Sequence, residues 1–264
     1  MVRLFVQERF GRLLGRSSCW NYLKRLGFTL KRPKKRLLRA DADKRRVFVA
    51  TYLALRAKAR TQGAKIFFAD EAHFRADVEL RAKWVQRGQP ALCASTSPRL
   101  GEKADYYSAV CLESGEVEAM PVAGNTNAQT SVAFLRQLRE QYQGPLIVIW
   151  DNGPAHHGPE IREYLTTPGL NVQLVALPGY SPDFNADEPI WAWVRTEATA
   201  NTCFGTAAKV RERVDAFFAG LADRTAEVKQ RCRTELQAQA EVLAKAAYHL
   251  CTETQHVVLT MESL

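Results

Sequence analysis

Two aspartates stand directly after short apolar runs, Asp70 after Ile-Phe-Phe-Ala and Asp151 after Ile-Val-Ile-Trp. Such runs read as buried strands, and a carboxylate at the end of one is costly unless something compensates its charge. In an open α/β sheet the strand ends are also where ligands bind. A third acid, Glu188, opens a helix behind Leu-Pro-Gly-Tyr-Ser-Pro-Asp-Phe-Asn, a loop whose path is restricted by its prolines. Three acids aimed at one point repel one another unless a cation lies between them. Hard oxygen donors without a cluster of Cys or His favour Mg²⁺ or Mn²⁺. Two such ions about 4 Å apart suit in-line phosphoryl displacement, one activating the attacking oxygen and the other stabilising the leaving one. The expected site is therefore Asp70, Asp151 and Glu188, serving as catalytic groups and as ligands of two ions.

Neighbouring residues supply possible support. Asn152 follows the second aspartate and is placed either to orient it or to form the turn. His156 and His157 lie in the loop just beyond, where one contacts phosphate, hydrogen-bonds a metal ligand or caps the loop. If the first strand continues past Asp70, His73 points to the opposite face, because an odd number of positions separates the two. Trp191 and Trp193 read as core or interface anchors.

The elements that must position these acids follow from periodicity. Val2, Phe5, Val6 and Phe10 have helical spacing. A break from Gly11 to Gly15 precedes a second helix, capped by Ser17 or Ser18 and ended by Gly27, with Trp20, Leu23 and Leu26 facing inward and Asn21, Lys24 and Arg25 facing out. The basic run Lys31, Arg32, Lys34, Lys35 and Arg36 follows. Residues 41–60 read as a basic helix with Val47, Tyr52 and Leu55 inside. A strand at 65–69 ends in Asp70, and strands at 106–112 and 117–122 flank the turn 113–116 as a hairpin. A helix at 128–142 turns Val132, Leu135 and Leu138 inward. A strand at 145–150, a short helix at 159–166, a strand at 172–177 and a helix from about Glu188 complete the order, and from about 206 the chain is helical. The order β-β-β-α-β-α-β-α predicts an α/β fold with a mixed sheet, antiparallel on one side and parallel on the other, covered by helices on both faces.

Charge divides the chain. Residues 1–60 hold 18 Lys/Arg against three Asp/Glu, whereas the remainder holds 19 against 25. A basic arm on an acidic body is the pattern of a nucleic-acid-binding segment joined to something else. The six cysteines lie far apart without a C-x-x-C pair, so reduced thiols are expected. No apolar run approaches the roughly 20 residues of a membrane span. No secretory signal is read at the N-terminus.

Three blocks carry a resemblance: Phe-Phe-Ala-Asp70-Glu-Ala-His-Phe, Trp-Asp151-Asn-Gly-Pro-Ala-His-His, and Leu-Pro-Gly-Tyr-Ser-Pro-Asp-Phe-Asn-Ala-Asp-Glu188-Pro-Ile-Trp. They resemble the catalytic blocks of bacterial insertion-sequence transposases related to mariner, in the DDE superfamily, over residues 5–230. The third block is the most specific. The resemblance implies a ribonuclease-H-like catalytic fold, three antiparallel strands plus two parallel ones. It implies hydrolytic nicking of transposon ends and attack of the freed 3′-hydroxyl on target DNA, commonly at TA. Members usually carry Asn-Pro-Ile-Glu where this chain has Asn185-Ala186-Asp187-Glu188, so Asp187 is the alternative third ligand. Members often have a Trp and a Gly near Trp84 and Gly88, which implies a structural use for that segment. The expected organisation is a partial helix-turn-helix or winged-helix segment at 1–36, a basic linker helix at 37–62, a catalytic domain at 63–205 and a helical region at 206–264. The expected partners are terminal inverted repeats and target DNA, with a homodimer during reaction, in the cytoplasm of a bacterium and on its nucleoid. A truncated, non-catalytic repressor of transposition and a ribonuclease-H-like nuclease are the alternatives.

Overall fold

The computed structural model describes residues 2–30, 39–96 and 101–247, and the chain divides into two units, Met1–Leu38 and Arg39–Leu264. In the first unit, α1 (Val2–Phe10) and α2 (Arg16–Arg25) form a helical pair, and Arg3 Nε donates to Leu14 O over 2.8 Å. The α2 N-cap is Gly15 rather than Ser17 or Ser18. Gly27 closes the helix at φ 82°, and Phe28 N–H reaches back to Leu23 O at 2.9 Å. The inward face differs from the expectation. Trp20 and Leu26 are exposed, Leu23 is half-buried, and the buried side chain is Cys19. Helices of nine and ten residues offer each other too little surface to cover a full apolar stripe, and Lys24 Nζ instead sits 5.4 Å from the Trp20 ring centroid. Asn21, Lys24 and Arg25 are exposed, whereas Lys31, Arg32, Lys34, Lys35 and Arg36 lie outside the described residues.

The second unit is built on a five-stranded sheet of order β3-β2-β1-β4-β5. Its strands are β1 (Lys65–Arg75), β2 (Lys103–Val110), β3 (Val117–Val122), β4 (Leu146–Trp150) and β5 (Val172–Ala176). β1–β2 and β2–β3 pair antiparallel, β1–β4 and β4–β5 parallel, which is the ribonuclease-H-like arrangement. One strand departs from the expectation: β1 does not end at Asp70 but runs on to Arg75. The parallel ladder with β4 stops at Phe68–Ile149, whereas the antiparallel ladder with β2 continues to Arg75–Lys103. Asp70 therefore sits inside a strand, at the point where its parallel partner gives out.

Strand alternation divides the core between two faces. Ile66, Phe68, Ala72 and Phe74 of β1 and Ile147 and Ile149 of β4 face one layer, made by α3 (Ala42–Gln62), α6 (Glu188–Glu197), α7 (Ala207–Ala219), α8 (Thr225–Arg231) and a helical stretch at 235–247. Phe67, Ala69, Leu146, Val148 and Trp150 face the other, where α4 (Ala128–Gln141) and α5 (Pro159–Leu165) pack. Burial on both faces is why the central strands read as unbroken apolar runs. The core is continuous across residues 62 and 63 and across 205 and 206. α3 begins where Asp41 caps it through Asp43 N–H and Lys44 N–H, at 3.0 and 3.1 Å. It buries Phe48, Val49, Tyr52, Leu55 and Ala59, while Val47, expected inside, is exposed. The stripe 48, 52, 55, 59 has helical spacing, and position 47 falls beside it. Trp191 and Trp193 are core residues, as expected, but Trp84, for which a structural use was expected, is fully exposed in the long connection between β1 and β2. The five described cysteines are free, and among the described residues no helix is long and apolar enough to cross a membrane.

Candidate active site

The end of β4 and the middle of β1 lie side by side, so Asp151 and Asp70 come from adjacent strands. Asp70 pairs across β2 with Ser108, and the next residue, Glu71, pairs with Tyr107. The two acids of β1 thus serve opposite faces. Asp70 looks toward the α6 layer, and Glu71 toward the layer that holds His156.

The third acid arrives by a different route. Leu177 N–H bonds back to Trp150 O at 2.7 Å, and the chain then crosses to α6 through a short 3₁₀ turn at Pro182–Phe184. Asn185, which is buried, ties this loop to β1. Its amide donates to Ala69 O at 3.1 Å, and its carbonyl oxygen accepts from Asp187 N–H at 3.1 Å. Glu188, the first residue of α6, stays exposed beside that anchor. Asp187 is fully buried, its Oδ2 accepts from the Ser108 hydroxyl, and its Oδ1 has no hydrogen-bond partner. The rival pair is therefore divided by position. Glu188 is open to a ligand, while Asp187 sits beneath it, against the sheet.

The acids differ in their electrostatic surroundings. Burial, then the Glu188, Glu71 and Asp151 carboxylates, push Asp70 up to about 8. Burial also raises Glu188, Arg195 opposes that rise, and Asp151 adds to it. Asp187 is raised well above the carboxylate range by burial and then by Asp70. Asp151 behaves oppositely, held low by His156 beside it and by Gly153 N–H, which it accepts at 2.9 Å. His156 is buried and stacked on Trp150 with ring centroids 4.0 Å apart. Its Nδ1 is 3.4 Å from Ser131 Oγ, and its Nε2 lies 3.2 Å from Asp151 Oδ1 and 3.3 Å from Glu71 Oε2. Neither contact of Nε2 has the angle of a hydrogen bond, so the set is an ion-paired cluster. Burial pulls His156 down, but the Asp151 and Glu71 carboxylates overcome it and carry it up to about 9.

This separates two candidate donor sets. Glu71, Asp151 and His156 offer ligand atoms within 4.8 Å of one another, yet His156 already supplies that cluster with positive charge. At Asp70 the neighbouring charges are carboxylates, and at Glu188 Arg195 offsets only part of the rise. A cation held by Asp70, Asp151 and Glu188 would relieve that crowding, and an all-oxygen set suits Mg²⁺ or Mn²⁺.

A pH dependence follows. In the unfolded chain an aspartate titrates near 4, and in the folded protein Asp70 titrates at about 8. Between those values the folded state holds the extra proton, so stability without metal falls as pH rises through that window. Metal binding needs the anion and strengthens over the same range. The rise in Tm on adding Mg²⁺ is expected to be larger at pH 8 than at pH 6. Calorimetry at the two values checks it, and an equal rise would remove Asp70 from the ligand set.

Asp70 and Asp151 stand on neighbouring strands with Glu188 near enough to act on Asp70, but among the described residues the ligand atoms within 4.8 Å of one another are those of Glu71, Asp151 and His156; Asn152 is exposed next to Asp151. His156 lies at the site and His157 is exposed. Asn21, Lys24 and Arg25 belong to the other unit. Sequence reasoning gives Glu71, next to Asp70, no role and misses Ser108. Alternation along β1 was the available signal for Glu71, whereas Ser108 is set by a register that no local pattern reveals.

A ribonuclease-H-like sheet carrying acids at its centre defines a class of metal-dependent nucleic-acid endonuclease, and the chain belongs to the DDE superfamily endonucleases, whose profile matches residues 65–211. A winged helix-turn-helix profile matches residues 1–52. Among solved structures, a Mos1 transposase paired-end complex with left transposon end matches with TM-score 0.65 at 20% identity, covering 91% of this chain and 74% of that one. The Mos1 mariner paired-end complex with Mn matches with TM-score 0.62 at 21% identity, over 91% and 74%. The isolated Mos1 mariner catalytic domain matches with TM-score 0.51 at 17% identity, over 80% and 98%. The chain thus shares the fold of these transposases. A comparison against curated proteins returned no match.

Proposed function

We propose that this endonuclease is a transposase that binds the terminal inverted repeats of a mobile element, nicks their ends by hydrolysis and joins the freed 3′-hydroxyls to target DNA. The observation that carries the reading is the placement of Asp70 and Asp151 on the adjacent parallel strands β1 and β4, with Glu188 delivered at the start of α6 by a loop that Asn185 ties to Ala69. Those three residues would hold two Mg²⁺ or Mn²⁺ ions, which would supply activation of the attacking oxygen and stabilisation of the leaving one. Asp70 gives up its proton as the site loads. Asp151 is oriented by His156 and by the Gly153 N–H. Glu188 reaches in from the start of α6, and Asn152 faces the DNA beside Asp151. Asp187 stays beneath as a buried support, not a ligand. Mos1 complexes with a transposon end and with Mn support the ligand classes.

The segment 1–36 is the DNA-binding arm, 63–205 holds the chemistry, and 37–62 and 206–264 brace it. Asn21, Lys24 and Arg25 face the groove, and Lys31, Arg32, Lys34, Lys35 and Arg36 neutralise phosphates. Pairing two ends calls for two copies of the chain during reaction. Such an enzyme acts on the nucleoid, in the cytoplasm.

The test is purified protein with Mg²⁺ and DNA carrying the repeats that flank its gene. Nicked and joined products are expected. Binding without nicking would overturn the enzyme reading, and hydrolysis without joining would leave only a nuclease.

Gly153 supplies a sharper probe. A Cβ there would come 3.0 Å from Asp151 Oδ1 and 3.2 Å from His156 Cδ2. Gly153→Ala must therefore displace both side chains. A shift of a few tenths of an ångström is smaller than the 1 Å misplacement that costs about 100-fold, so cleavage is expected to fall by up to about 10-fold with DNA affinity unchanged in a gel-shift titration.

A further inference from the structure

Arg45 was counted with the basic arm, but the structure turns it inward. Its guanidinium grips the Asp183 carboxylate with both prongs, Nη1 to Oδ1 at 2.8 Å and Nη2 to Oδ2 at 2.6 Å. The same group lies 3.8 Å from the centroid of the Phe184 ring, which is fully buried and stacks on Phe48 of α3 at 6.4 Å. Paired forks of this kind fix direction as well as distance, and lysine does not reproduce them. A second contact runs parallel: Arg39 donates to the Tyr180 hydroxyl at 3.2 Å and lies over the Tyr180 ring at 5.7 Å. Tyr180 itself has φ 57°, a left-handed backbone that a non-glycine residue holds only when its surroundings impose it. These contacts all fall on the loop between β5 and α6, the one that delivers Glu188. Asn185 pins its far end to β1.

We infer that Arg45 is a positioning residue for Glu188. Through Asp183 and Phe184 the first turn of α3 sets the path of the loop, and the loop sets where the third carboxylate stands. Arg45 is thus spent on the site scaffold and is not available to a phosphate. The inference rests on Glu188 being a metal ligand, but the placement of the loop can be measured without that reading.

The experiment compares the full-length chain with Arg45→Met, Asp183→Asn, their double variant and Arg45→Lys. Arg46→Met serves as control, since Arg46 is exposed on the same helix and pairs with Asp43. Three quantities are read: amide exchange across residues 178–188, Mn²⁺ affinity by calorimetry, and the split of cleavage between kcat and KM for repeat DNA. Arg45→Met is expected to speed exchange in that loop at least tenfold, weaken Mn²⁺ binding severalfold and lower kcat about tenfold with KM unchanged. Asp183→Asn should match it, the double variant should be no worse than either single, and Arg45→Lys should recover part of the loss. Arg46→Met should leave exchange and Mn²⁺ binding as they are. Unchanged exchange and Mn²⁺ affinity in a folded Arg45→Met overturns the inference. So does a raised KM at constant kcat, which makes Arg45 a DNA contact, or additive single effects. If the wild type binds Mn²⁺ but cleaves no DNA, the transposase reading fails while the first two readouts still decide the role of Arg45. If Arg45→Met does not fold, Asp183→Asn and Arg45→Lys carry the same comparison.

Discussion

Asp151→Asn is expected to lower end cleavage by about a thousandfold or more, about 4 kcal/mol in the barrier, while the protein stays folded. Asparagine keeps the shape of the side chain and can still accept the Gly153 N–H that Asp151 accepts at 2.9 Å. His156 retains Glu71 at 3.3 Å as its ionic partner. What is lost is the charge that a cation needs. Asp70→Asn should be equally damaging to cleavage yet opposite in stability. Asp70 is crowded by Glu188, Glu71 and Asp151, so a neutral amide there removes repulsion and should raise Tm in the absence of metal at pH 8. A site that stabilises when disabled is the usual price of function. Asp187→Asn supplies the contrast, because its buried side chain keeps the Ser108 hydrogen bond as an amide. It is expected to retain cleavage within about tenfold, whereas Glu188→Gln should not. Equal losses at 187 and 188 would make the buried acid part of the ligand set. Single-turnover cleavage and thermal unfolding of the variants, measured side by side, decide each of these points.

The second large effect concerns Trp150, the last residue of β4. It is completely buried among Tyr107 and Phe134, at 5.5 and 5.9 Å between centroids, and lies under the His156 ring. Trp150→Ala should cost about 3–5 kcal/mol through the transfer free energy lost and the cavity left. It also removes the surface on which His156 rests, so residual folded protein should cleave poorly. Trp150→Phe keeps a ring and should recover most of both losses. Urea denaturation gives the first number, and cleavage per folded molecule gives the second. An alanine variant with full activity per folded molecule would show that the stacking does not orient His156.

How much of this was legible beforehand depends on the range of the forces involved. Leu-Ile-Val-Ile-Trp announces β4, because a strand buried on both faces must be apolar throughout, and Asp151 follows from it. Asp70 is also singled out by composition, but for an incomplete reason. Its polar neighbours end the apolar run, although the backbone continues to Arg75 on the antiparallel side. Where a strand outlasts one partner, composition reports the partner's end and not its own. Glu188 was placed by the loop before it, while the burial of Asp187 was invisible, since it depends on Ser108 from a strand 79 positions away in sequence. Arg45 shows the same limit. Counting charge assigns every basic residue of the arm to DNA, and only the fold reveals that one is turned onto Asp183, 138 positions on. In the first unit, periodicity found both helices but misjudged their faces, because two short helices cannot cover the stripes that their sequences carry.

The placement of Asp70 within β1 has a consequence for how such chains diverge. A residue paired within the β1–β2 ladder cannot drift, and Asp151 follows directly from the strand alongside. The chain between Asp151 and Glu188 passes instead through surface turns, among them the largely exposed stretch 166–169 between α5 and β5. Residues can be gained or lost there without moving the sheet, since exposed turns tolerate insertion. The separation of 37 positions between the second and third acids is then set in part by the length of exposed turns, while the placement of the first two acids is set by the pairing of β1 with β4.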